Sequence, residues 1–232
     1  MCGRYSLLCI DDLGNRFRVH NPMIGLRSRF NISPGTRQPV IVQGTGGREL
    51  VQMQWGLISS ARSDRIAARP IINARAETLL EKPRFRHLLD TNRCLIPASG
   101  FFEWKQALTE KIPHYFHLPE RPLFTFAGLF DTRRDPGGTI LAAYTIVTTE
   151  PNPLVAQVHP RMPAILSRGN EERWLADAPV TAGSLKELLS PSPVGEMEMY
   201  PVPDLVNTPF VDDERVVRPL SSSAGKQTFL PE

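Results

Sequence analysis

The sequence predicts an α+β fold, mostly antiparallel strands with short flanking helices. Two observations carry that prediction. The 232 residues include 22 prolines, whose fixed φ and missing N–H favour many short, sharply connected elements over a helical bundle. Apolar stretches of strand length also recur between turns rich in Gly, Pro and Asp. Hydrophobic residues make up 41% and charged residues 22%, the balance of a chain able to bury a core. The length suits one domain, placed at residues 1–219, with 220–232 expected as a disordered tail.

Taken in order, Tyr5 to Ile10 reads as a first strand that carries Cys9 toward the core. Asp11-Asp12-Leu13 opens a short helix that reaches Phe17. Residues 20–37 read as an irregular, arginine-bearing loop. Pro39–Gln43 and Leu50–Trp55 form a hairpin around Gly44-Thr45-Gly46-Gly47. Residues 56–70 show no periodicity and read as a mobile basic loop. After Ile71–Thr78 a short helix is expected over Arg84–Asp90, then a buried strand over Cys94–Ala98. That strand turns at Ser99-Gly100 into Phe101–Lys105. Alternation there puts Glu103 on the face opposite Phe102 and Trp104. His114–Leu118, Leu123–Phe130 and Ile140–Thr149 read as further strands. Glu171–Ala176 and Gly183–Leu189 read as short surface helices, and Tyr200–Phe210 as a last strand.

Several function classes are excluded. No apolar run is long enough to span a bilayer. The amino terminus lacks the apolar stretch of a secretion signal, so the expected location is cytoplasmic, without membrane contact. Cys2, Cys9 and Cys94 are an odd count without C-x-x-C, which argues against a disulfide framework and a zinc knuckle. His114 and His117 lie three apart on a strand and so point to opposite faces. No metal or cofactor is expected. The glycines at 44–47 lack the Lys-Ser/Thr of a phosphate loop.

Charge is unevenly distributed. Residues 1–93 carry 15 Lys and Arg against 7 Asp and Glu, whereas residues 94–232 carry 12 against 17. Arginines outnumber lysines 22 to 5, and arginine is the better bidentate partner for phosphate. A nucleic-acid face built from Arg4, Arg27, Arg29, Arg62, Arg65, Arg69 and Arg75 fits this pattern; solvated surface charge fits it too.

The chemistry centres on Cys2. Methionine before a small residue is the usual context for removal of the initiator, which leaves Cys2 first. A terminal cysteine carries an α-amine and a thiol on adjacent carbons, with unperturbed pKa values of roughly 7.7–8.0 and about 8.5. Such a pair can attack one aldehyde twice, first as an imine and then as a thiazolidine ring. Glu103, set among three aromatics, is either salt-bridged at a rim or held in an apolar pocket with a raised pKa. Pro160 and Pro163 bracket Arg161 and stiffen the backbone beside His159.

Four stretches together carry a resemblance: Met1-Cys2-Gly3-Arg4, Asn73–Thr78 (NARAET), Pro97–Trp104 (PASGFFEW) and His159–Pro163 (HPRMP). In this order and spacing they resemble the SRAP (SOS-response-associated peptidase) family, with Pro201–Asn207 similar to the family's closing segment. Phe102 stands where the family often has tyrosine, and Pro160 where a polar residue is more usual. The resemblance implies a barrel-like closure of the sheet. It also implies binding of single-stranded DNA that holds an abasic site, followed by a covalent thiazolidine link from Cys2 to the sugar C1′. In that scheme Glu103 opens the sugar ring as an acid, His159 shuttles protons, and Asn73 orients the terminal amine or a sugar hydroxyl. Arg4, Arg75 and Arg161 suit flanking phosphates, and Trp55 and Trp104 suit stacking on bases or a place in the core. The protein is expected to be monomeric. Two other readings use the same residues: an amino-terminal-nucleophile hydrolase or thiol (auto)peptidase, and a non-covalent single-strand binding module. A lipidated Cys2 is a weaker third, without a membrane signal.

Overall fold

The computed structural model describes residues 2–21, 25–57, 69–134 and 137–220. Most of the basic loop expected at 56–70, with Arg62 and Arg65, and the tail expected beyond residue 220 lie outside the described residues.

Thirteen strands are found among them: β1 (Tyr5–Leu7), β2 (Arg29–Ile32), β3 (Arg37–Gly44), β4 (Gly47–Trp55), β5 (Asn73–Arg75), β6 (Arg93–Ala98), β7 (Gly100–Gln106), β8 (Lys111–His117), β9 (Phe124–Arg134), β10 (Ile140–Thr149), β11 (Met162–Pro163), β12 (Ile165–Leu166) and β13 (Glu198–Pro201). The helices are α1 (Leu13–Phe17), α2 (Pro83–Thr91), α3 (Arg168–Leu175) and α4 (Ala182–Leu188). The class is α+β, as the pattern of the sequence predicts.

Strands β4, β3, β6, β9 and β10 pair in that order, and β10 pairs again with β4, closing a five-stranded barrel. Only the closing β10–β4 pair is parallel. Closure removes the free edges that an open sheet of this length would expose. A second sheet runs β13-β8-β7-β1-β2, with each neighbouring pair antiparallel. The main core is shared by barrel and sheet and includes Tyr5, Trp55, Phe101, Phe116, Phe124, Phe126 and Tyr144. The far face of the second sheet holds a smaller cluster of Phe102, Tyr115, Val202, Val206 and Val216. Successive residues of β7 thus serve two cores, and the period of two sends Phe101 and Glu103 one way and Phe102 and Trp104 the other.

Local chemistry explains the boundaries. Thr45-Gly46 makes the β3–β4 turn, with Gly47 at φ 127° where a side chain would strain. Gly100 is required for packing, since a Cβ there would come within 2.3 Å of the Tyr115 ring. Pro83 opens α2 at its first turn, where its missing N–H costs nothing. Ser167 caps α3, and Thr181 with Ser184 forms a reciprocal capping box on α4.

Four expectations need correction. The first strand stops at Leu7, which leaves Cys9 half-buried beyond it. The loop read over 20–37 contains β2, which pairs with β1. The last strand is Glu198–Pro201, and the chain then runs on in short turns. Helix α3 lies on the surface by one face only: Arg168, Gly169, Glu172 and Arg173 are exposed, but Glu171 and Trp174 are buried, with Glu171 held by Arg16 at 2.9 Å and Thr125 at 3.0 Å. In each case long-range contacts, invisible to a local pattern, decide the outcome.

Candidate active site

The amino-terminal segment is laid against β7. Tyr5 faces Phe101, Ser6 faces Gly100, and the Phe102 N–H donates to the Arg4 carbonyl at 3.0 Å. Continuing this register brings Gly3 opposite Glu103, so the start of the chain runs beside the one carboxylate of β7. On the other side β5 lies parallel to β10, with Asn73 opposite Ile146 and Arg75 opposite Thr148. β11 pairs with the same end of β10, Pro163 opposite Thr148. That end of β10 therefore gathers the Asn73–Arg75 and His159–Arg161 stretches around it.

The four residues predicted to do chemistry come together. Asn73 donates its Nδ2 N–H to the Cys2 carbonyl at 2.8 Å. Glu103 Oε1 lies 3.7 Å from His159 Nδ1. The charge of Glu103 also acts on the Cys2 thiol. Cys2 is wholly buried, and its thiol is pushed well above its ordinary value, chiefly by burial and then by Glu103. Glu103 is 3% exposed, and burial pushes its carboxyl up to about 7. Burial rules out the exposed-rim reading of Glu103, although the carboxyl also lies within ion-pair distance of His159. His159 is lowered, first by burial, which favours its neutral form. Its Nδ1 sits between the backbone N–H and carbonyl of Arg161, at 3.1 and 3.0 Å, which orients the ring. Asn73 Oδ1 is buried and has no hydrogen-bond partner among the described residues.

The residues expected to touch DNA divide. Arg75 is exposed. Arg4 reaches the Asn207 carbonyl with Nη2 at 3.5 Å, and its Nε has no partner among the described residues. Trp104 is half-buried and donates Nε1 to Asn207 Oδ1 at 2.8 Å. Arg161 is already engaged: its two terminal guanidinium nitrogens donate to Glu77, at 2.6 and 2.9 Å, and Nη2 also donates to the Thr148 carbonyl at 2.7 Å. Stacking of bases on Trp55 is overturned. Its ring is fully buried, stacks on Tyr144 at 6.4 Å, meets Tyr5 edge-on at 5.2 Å, and donates to the Ile72 carbonyl at 2.9 Å. It buttresses the strand that presents Asn73.

The profile of the SOS response associated peptidase (SRAP) family matches residues 1–209. This chain belongs to the SRAP family. Among SRAP relatives, it is 39% identical over 213 residues to the abasic site processing protein YoqW of Bacillus subtilis, which covers 90% of this chain and 95% of that protein. It is 30% identical over 210 residues to the abasic site processing protein HMCES of Xenopus tropicalis, covering 77% of this chain and 62% of that protein. A crystal structure of a protein from Bacteroides thetaiotaomicron superposes with a TM-score of 0.84 at 28% identity, covering 94% of this chain and all of that one. The SRAP motifs read in the sequence are the segments the fold gathers around Cys2. Asn207 and Glu77 were missed as site residues although both lie in motif stretches; their roles rest on side-chain partners far away in sequence.

Proposed function

We propose that this chain recognises abasic sites in single-stranded DNA and, once Met1 is removed, links Cys2 covalently to the lesion as a thiazolidine. The observation that carries the reading is the meeting of Cys2, Asn73, Glu103 and His159 from four separate segments. The names of the relatives support the abasic lesion as substrate.

An abasic sugar is mostly a closed hemiacetal. Glu103, raised to about 7, is partly protonated at neutral pH and delivers its proton to the ring oxygen as the hemiacetal O–H gives up its own to a base. The free aldehyde results. The Cys2 α-amine adds to C1′, and the carbinolamine loses water with protonation of its hydroxyl, leaving an imine. The thiol then adds across the C=N bond: sulfur bonds to C1′ and the thiol proton passes to nitrogen. Aldehyde and aminothiol leave as thiazolidine and one water. Neutral His159, 3.7 Å from Glu103, takes and returns protons between steps. Asn73 fixes the Cys2 carbonyl, and its open Oδ1 is placed to accept from the amine or a sugar hydroxyl. Arg4 and Arg75 hold flanking phosphates. Arg161, bound by Glu77 and Thr148, sets the position of the His159 backbone.

The burial of the thiol favours this order over a thiol peptidase. A thiol held well above its ordinary pKa is a poor leading nucleophile at neutral pH, whereas here the amine attacks first and sulfur then closes the ring within the same molecule, aided by proximity.

The test is mature protein mixed with abasic single-stranded DNA, denatured and run on a gel. A stoichiometric shifted band is expected for wild type. Cys2→Ser should lose the stable band yet keep an imine trapped by borohydride, and an amino-terminal tag should abolish both. A tagged protein that links normally ends the proposal, and turnover of peptide without DNA would favour the hydrolase.

A further inference from the structure

We propose that Phe210 is a stacking platform for the base beside the lesion, an inference that rests on the single-stranded DNA reading above. Its side chain is 94% exposed. A scattered exposed apolar residue is ordinary, but this one projects from a backbone tied down on both sides. The Asn31 amide faces the carbonyls of Val206, Thr208 and Val211 at 3.3, 3.1 and 2.8 Å. Asp212 Oδ1 accepts the backbone N–H groups of Phe30 and Asn31 at 2.7 and 2.8 Å, and Asp212 pairs with Arg29. Val206 and Val211 on the same loop pack into the smaller apolar cluster. The ring is therefore left in water by a rigid loop that buries its apolar neighbours.

The loop also starts beside two residues that neighbour the site in sequence, on the face of β7 opposite Glu103. Asn207 accepts from Arg4 through its backbone carbonyl and from Trp104 through its side chain. Phe210 is three residues further on, a span of at most about 11 Å. Arg4 follows Cys2 by two residues, and Trp104 follows Glu103 directly. A cation suited to phosphate and a solvent-facing ring thus flank one anchor, which is the pairing that holds single strands without reading sequence, since every base has a π-face.

The experiment measures non-covalent affinity by fluorescence anisotropy, using single strands with a central tetrahydrofuran residue, an abasic analogue that has no aldehyde. In one strand thymidines flank it; in the other the neighbours are tetrahydrofuran residues too. Phe210→Ala should bind the thymidine-flanked strand roughly fivefold to a hundredfold more weakly than wild type, and Phe210→Trp should restore affinity. On the strand without flanking bases, wild type and Phe210→Ala should agree. Because the ring is solvent-exposed, thermal unfolding should not change in either variant. Equal affinity of Phe210→Ala and wild type for the thymidine-flanked strand overturns the proposal, as does a deficit of the same size on both strands. The gel with aldehyde-bearing DNA separates the two claims: a Phe210 effect without an adduct sinks the crosslink and keeps the platform, and an adduct without a Phe210 effect does the reverse.

Discussion

The Asn73 side chain holds the backbone carbonyl of Cys2 at 2.8 Å across 71 residues of sequence. That bond holds Cys2 in place near a chain end, where residues ordinarily fray. The other end of the amide, Oδ1, is buried and has no hydrogen-bond partner among the described residues.

Asn73→Ala should therefore release the start of the chain. The rate of adduct formation under single-turnover conditions is expected to fall about tenfold to a hundredfold through lost positioning. Affinity for aldehyde-free DNA should change far less. If affinity and rate fall together, Asn73 binds DNA instead of orienting Cys2.

Glu103 makes the reaction and the stability depend on pH in one direction. Its carboxyl is raised by burial to about 7 from an ordinary value of 4.5. Between those values the folded chain binds a proton that the unfolded chain does not. Its contribution is thus fully present below about 4.5 and is lost as pH rises through about 7, by up to about 3 kcal/mol. Denaturant unfolding of wild type against Glu103→Gln from pH 4 to 8 should show the gap shifting toward the variant as pH rises. The crosslinking rate should carry an alkaline limb near pH 7 that Glu103→Gln lacks, at a rate lower by about a hundredfold or more.

The Glu77–Arg161 pair acts with the opposite sign. Burial is the largest single influence on Glu77 and raises it, but the hydrogen bonds and charge of Arg161, a backbone hydrogen bond and the charge of Arg75 together outweigh this and hold the carboxyl below its usual range. Its stabilisation is present above the ordinary carboxylate pKa and disappears as pH falls through the lowered value. Glu77 is 45% exposed, so the expected size is below about 1 kcal/mol. Glu77→Gln should shrink the acid-side loss of stability measured by thermal melts, and should slow the adduct through a looser His159 backbone.

The two tryptophans should separate cleanly. Trp55→Ala removes a fully buried ring and is expected to cost about 3–5 kcal/mol of stability, read as a lower denaturation midpoint. Trp104→Ala should cost less stability and weaken DNA binding. A Trp55 variant that folds as wild type would contradict its place between Tyr5, Tyr144 and Ile72.

Much of the barrel was legible because each strand carries its own signal. Ile140–Thr149 and the hairpin around Thr45-Gly46 are apolar runs bounded by turn residues, and local sterics are enough to mark them. β2 was hidden, since Arg29-Phe30-Asn31-Ile32 alternates over only four residues, too short a run to stand out from the arginine-bearing loop around it, and it gains its strand from pairing with β1. Within the site, residue identity spoke for Cys2, Glu103 and His159, whose chemistry is specific. It could not separate Trp55 from Trp104, because a large aromatic ring suits a core and a surface equally.

By itself the sequence determined the candidate groups and their order: a cysteine directly after Met1, an amide, a carboxyl among aromatics, and a histidine beside stiff backbone. These are properties of single residues and near neighbours. Only the tertiary structure decided that Glu103 is buried enough to hold a proton near neutrality, that Arg161 is spent on Glu77, and that Trp55 is core. Burial and pairing are set by what packs from elsewhere in the chain, and no local pattern encodes that.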